Sequence, residues 1–165
     1  MRLAAEIRYD ADPVTVFAML VDPDFQERKC AATGALDHEV EIEEYDDGGA
    51  AIRTNRTMPT DNVPDFVRTF VGQTLTVVQV DDWQGAGTDG SRDGSVVVEI
   101  KGSPVRLAGS MTLRPDGTGT RQTIDGDLKA SVPIVGGRIE KAVEPALQAA
   151  IRVEQREGRS WLAAR

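Results

Sequence analysis

Residues 134–165 carry a helical repeat that is too long and too one-sided to stand alone. At ~100° per residue around a helix, Ile139, Ala142, Val143, Ala146, Leu147, Ala150, Val153 and Trp161 share one face. Lys141, Glu144, Gln148, Arg152, Gln155, Arg156 and Arg159 fall on the other. An apolar stripe of that length needs a broad partner surface, and the preceding segments, short and rich in turns, supply one only as a sheet. One long helix laid on one sheet tends to enclose a space, so the expectation is a container for an apolar molecule. Pro145 falls on the solvent side, where a lost backbone bond bends a helix around a curved partner.

The preceding chain reads as strands, turns and minor helices. Leu3, Ala5, Ile7 and Tyr9 alternate with Arg2, Glu6 and Arg8, the period of a half-buried strand. Asp12-Pro13 and Asp22-Pro23 each pair a capping carboxylate with a proline at the first helical position, so two short helices follow, ending near Gly34. Strands are expected at 38–45 and 50–57 around the turn Asp46-Asp47-Gly48-Gly49, then at 73–83, 95–101, 105–114 and 119–132. Gly109 and Gly126 lie mid-strand on the apolar faces, where glycine marks a bend or a bulge. Residues 58–72 break the hairpin rhythm. A short helix opening at Val63-Pro64 projects Phe66, Val67, Phe70 and Val71, either as a core-edge helix or as an apolar flap over a cavity mouth.

The 165 residues make one domain, 1–165, of α+β class: an antiparallel sheet with segregated helices. Net charge is -8, with no run of Lys or Arg, which argues against nucleic acid and anionic membrane surfaces as partners. No stretch reaches the ~20 apolar residues of a membrane span. Charge enters too early in Met1-Arg2-Leu3-Ala4-Ala5-Glu6 for a signal peptide. Cys30 is the single cysteine, so no internal disulfide forms and a cytoplasmic location is expected.

Chemistry-bearing motifs are weak. Gly85-Ala86-Gly87-Thr88-Asp89-Gly90 matches the dinucleotide fingerprint, but a strand rather than a helix follows it, so it reads as a hairpin loop. His38 is the one histidine, which excludes a multi-histidine zinc site. No Gly-x-Ser-x-Gly elbow is present, and Cys30 reads as a packing residue. Asp125 and Asp127 share a strand face with Arg121, Thr123 and Lys129, a solvated charged surface. Arg53 and Arg56 on the third strand either lie exposed or meet an acidic head group. Glu154 and Glu157 fall on the apolar stripe of the final helix; the expectation is that this end projects past the sheet into water, the alternative that a carboxylate reaches the cavity.

The order of elements, the entry Val132-Pro133-Ile134-Val135-Gly136-Gly137-Arg138-Ile139-Glu140-Lys141, Trp83 closing a strand and Trp161 near the end carry a resemblance. The chain resembles the START-like, helix-grip superfamily, also called SRPBCC, which includes polyketide cyclases and lipid-transfer domains. Within it, the chain is similar to an uncharacterised bacterial domain-of-unknown-function family. The resemblance implies a curved antiparallel sheet of about six to seven strands around the C-terminal helix, with a cavity between them. It implies no reaction, because such folds host carriers and enzymes alike.

The favoured expectation is therefore binding or carrying of a hydrophobic or amphipathic small molecule, with no catalytic residue, metal or cofactor assigned and no oligomeric state specified. The candidate wall is Leu107, Met111, Ile124 and Leu128 on the sheet, Val143, Leu147 and Ala150 on the helix, and Phe66 and Phe70 as a flap. The alternatives are a cyclase- or aromatase-like enzyme, and a packed structural or interaction domain.

Overall fold

An aspartate followed by proline starts both short helices: Asp12 Oδ1 accepts from the Thr15 N–H at 2.8 Å and Asp22 Oδ1 from the Asp24 N–H at 2.9 Å. The computed structural model describes residues 1–165. In chain order these form β1 (Arg2–Tyr9), α1 (Pro13–Leu20), α2 (Pro23–Ala32), β2 (Asp37–Glu44), β3 (Ala50–Pro59), α3 (Asp65–Val71), β4 (Thr74–Trp83), β5 (Arg92–Ile100), β6 (Val105–Asp116), β7 (Gly119–Ala130) and α4 (Gly136–Ala163). No helix is long and apolar enough to cross a membrane.

The seven strands form one antiparallel sheet in the order β1-β7-β6-β5-β4-β3-β2. Register aligns the inward side chains into rows across it. One row runs Thr54, Gln79, Val98, Leu107, Leu128; the next runs Ile52, Asp81, Val96, Gly109, Gly126, Leu3. Edge strand β2 leaves Asp37, Glu39, Glu41 and Glu43 in solvent, charges that discourage pairing with another chain. Outward on β7 and β1, Asp125 pairs with Arg2 and Asp127 with the N-terminal ammonium, the solvated face expected of them.

Helix α4 packs along one side of the sheet, in extended backbone contact with β1, β7, α1 and α2. Both its ends are pinned there. At the N-terminal end Glu140 Oε1 accepts from the Ala130 N–H at 3.0 Å. At the other end Gly158 lies so close to Tyr9 that a Cβ would sit 2.5 Å from its ring. Trp161, closing the helix, meets Phe25 of α2 edge-on at 5.7 Å. Pro145 is exposed, on the outer side.

Gly109 and Gly126 face each other across β6 and β7 in an unbroken ladder. A Cβ at Gly109 would meet the Asp125 carbonyl oxygen at 2.3 Å and Gly126 Cα at 2.4 Å. The ladder thus has no bulge here, and the contacted atoms are backbone that cannot rotate away. Gly109→Ala is expected to lower unfolding free energy by ~2 kcal/mol or more through overpacking. Gly137→Ala, with open space around its Cβ, serves as the control. Equal denaturant midpoints for the two variants would contradict this close backbone approach.

Candidate functional site

Four of the nine expected wall residues lie in the core. Leu107 faces Leu128 and Met111 faces Ile124 across β6 and β7, and all four are buried in one apolar cluster with Trp83, Phe17 and Ile139. Val143 and Leu147 pack against that cluster while staying half-buried, and Ala150 is half-buried. Phe66 is half-buried, with the Arg138 guanidinium 4.5 Å above its ring, so α3 lies against the first turn of α4. Phe70 is 49% exposed, and Val67 is the buried residue of α3. At a spacing of four the two phenylalanines are neighbours on one face of α3, and the one nearer its C-terminal end is the more exposed.

The inner line of α4 runs Ile139, Val143, Leu147, Ile151, Glu154, Gly158, Trp161, whereas Ala146 is exposed. This corrects the expectation that Glu154 projects into water. It is buried between three elements: Oε2 accepts from Lys29 Nζ of α2 at 3.1 Å, and Oε1 from Gln122 Nε2 of β7 at 3.1 Å. Burial pulls the Lys29 ammonium down, but Glu154 and Asp81 reverse this and leave its pKa raised. Glu157, one helical step outward, is half-buried and pairs with Arg28 and Arg156.

A second buried polar group sits on β3 and β4. Arg56 is 7% exposed, and its Nη2 donates to Gln79 Oε1 at 3.3 Å. Gln79 Nε2 in turn donates to both oxygens of Asp81, at 3.0 and 3.2 Å. No carboxylate lies within ion-pair distance of Arg56; Asp81 and Glu154 act on it only from farther away. Arg56 Nε, Gln122 Oε1 and the Tyr9 hydroxyl are buried without hydrogen-bond partners. Buried polar atoms are rarely left so. Arg53, by contrast, is exposed on the opposite face of β3.

The remaining sequence motifs take ordinary places. His38, half-buried on β2, contacts Glu27 of α2, and Cys30 is buried without a disulfide. Residues 84–91 are a loop into β5. Two surface clefts lie away from the polar groups. One of about 560 Å³ is lined by Asp10, Thr15, Met19, Arg159, Leu162 and neighbours, and one of about 240 Å³ lies on the outer sheet face around Arg53, Val78 and Val97.

Burial is the main reason the Asp81 carboxyl is pushed up to about 6. The unfolded chain releases this proton near ~3.9, so between those values the folded state holds the extra proton. The contribution of Asp81 to stability therefore falls as pH rises through this window, by on the order of 2–3 kcal/mol. Asp81→Asn is expected to match wild type below the window, to exceed its Tm increasingly as pH rises from ~4 to about 6, and to keep a level advantage above that. A difference in Tm that stays constant from pH 4 to 7.5 would contradict the burial of this charge.

Solved structures of the same fold cover nearly the whole chain. The crystal structure of TTHA0849 from Thermus thermophilus has a TM-score of 0.65 at 18% identity, covering 99% of this chain and 98% of that one. A fragment of a STAR-related lipid transfer protein from Xanthomonas axonopodis has 0.62 at 17%, covering 98% and 85%. A START superfamily protein from Mycobacterium smegmatis has 0.57 at 11%, covering 97% and 98%. At these identities the likeness concerns the fold, which is START-like and helix-grip. In sequence, the chain is 27% identical over 119 residues to the uncharacterized protein Rv0481c of Mycobacterium tuberculosis, covering 71% of this chain and 68% of that one. The Mycobacterium bovis protein Mb0491c matches equally. Residues 4–162 match a single family description from end to end, and the chain belongs to that family, "Protein of unknown function (DUF2505)".

Proposed function

We propose that this chain binds a hydrophobic or amphipathic small molecule between α4 and the central strands of its sheet, with α3 across the mouth. One observation carries the reading: side chains that face inward from both walls keep part of their apolar surface uncovered. Val77 and Ile100, register partners on β4 and β5, are half-buried, and so are Val143, Leu147 and Ile151 on the inner line of α4. The extended contacts of α4 are with β1 and β7 rather than with β3, β4 or β5, which leaves these side chains without a close backbone layer opposite. Helix α3 makes no extended backbone contact with any element, as suits a cover that moves aside.

In this reading Leu107, Met111, Ile124 and Leu128 form the closed apolar end, Val143, Leu147 and Ala150 the helix wall, and Phe66 and Phe70 belong to the cover. Apolar burial drives binding, at ~25 cal/mol per Å² before the costs of association. The Xanthomonas neighbour is titled a lipid transfer protein, and its fold adds support by analogy only. A second reading, an enzyme of the cyclase or aromatase kind, draws on one observation: Asp81, titrating near 6, is placed inside the fold as a general acid or base would be.

Gently purified protein is expected to carry a small apolar mass in native mass spectrometry and, once stripped, to take up an apolar fluorescent dye. Leu147→Trp, which fills the helix wall, is expected to weaken dye uptake about tenfold with little change in Tm. No co-purifying mass together with no dye uptake by the stripped protein would count against binding and favour a packed domain.

A further inference from the structure

We propose that Arg56 is the anchor for a carboxylate, so that the molecule held in the grip is a long-chain monocarboxylic acid. This deepens the binding reading above and rests on it. The guanidinium is 7% exposed, its Nε has no partner, and its single protein hydrogen bond, to a neutral amide, is long at 3.3 Å. A buried guanidinium of this kind lacks the planar acceptor that normally satisfies it. The other buried cation is already taken: Lys29 is held by Glu154.

Position gives the tail its course. In register, Arg56 stands beside Val77 of β4, which stands beside Ile100 of β5. Met58, the next inward residue of β3 toward α3, is half-buried like them. A head group on Arg56 therefore continues directly into the row of uncovered apolar side chains. Charge selects the head group. Asp81 of β4 and Glu154 of α4 both act on Arg56. With two carboxylates already near, a monoanion is accommodated at lower electrostatic cost than a doubly charged phosphate. A planar carboxylate also matches the fork of a guanidinium.

The test is calorimetric titration of stripped protein with dodecanoate, dodecanol and dodecyl phosphate, which share one tail. Wild type is expected to bind dodecanoate at least about tenfold more tightly than dodecanol, and more tightly than the phosphate. Arg56→Met is expected to lower dodecanoate to the level of dodecanol while leaving dodecanol unchanged, and Arg56→Lys to recover part of the preference. Equal binding of acid and alcohol by wild type would overturn the anchor and leave the apolar site standing. Tighter binding of dodecyl phosphate would overturn the carboxylate assignment. Binding of none of the three would overturn the apolar site and the anchor with it. The wild-type comparison decides the matter even where the methionine variant fails to fold.

Discussion

The fold depends on a charge that its main helix cannot leave in water. The inner line of α4 continues past its apolar residues through Glu154 to Gly158 and Trp161, and closing the helix onto the sheet takes that carboxylate inside. It is tolerated because α2 and β7 supply Lys29 and Gln122 at 3.1 Å each. Such a pair adds little by itself, since desolvation offsets attraction, but removing one partner leaves a buried charge that costs ~3–5 kcal/mol. The pair therefore specifies which part of α4 meets which part of α2. Beside it, Gly158 against Tyr9 lets the helix approach β1 more closely than any side chain would permit.

An asymmetry follows from this attachment. Both ends of α4 are fixed along the β1–β7 side, at Glu140 with Ala130 and at Gly158 with Tyr9. Strands β3, β4 and β5 lie farther along the same sheet, beyond β6, and outside the extended contacts of α4. Between them one end of the interior is filled by Met111, Leu128 and Trp83, and the other is faced by side chains that remain half-covered. A lone long helix has too little surface to cover the whole of a seven-stranded sheet.

Much of the architecture was legible because its signals are local. Asp-Pro pairs marked both short helices, Asp-Gly turns marked the hairpins, and alternation on β7 separated Ile124 and Leu128 from Asp125 and Asp127. The polar floor was not legible, for two reasons. On α4, the period places Glu154 and Gly158 inside, but polarity argues the reverse, and only Lys29, 125 residues earlier, resolves the conflict. On β4, both faces carry valines: Val78 and Val80 point out, while Val77 shares the inner face with Gln79 and Asp81. Trp83, buried at the end of that strand, is the one local sign of which face is inward. Arg56 is hidden in the same way, because a strand arginine reads as exposed until register sets it beside Val77. Phe70 is an apolar residue that the seven-residue α3 leaves half in solvent.

The central proposal is that a ligand lies between α4 and the central strands of the sheet. Methyl-resolved NMR during titration with dodecanoate tests it most directly. The account predicts shifts concentrated at Val77, Ile100, Val143, Leu147 and Ile151, with the methyls of Leu162 in the cleft beside α1 and of Val80 on the outer face unmoved. Shifts centred on Leu162, or none at saturating dodecanoate, would contradict it.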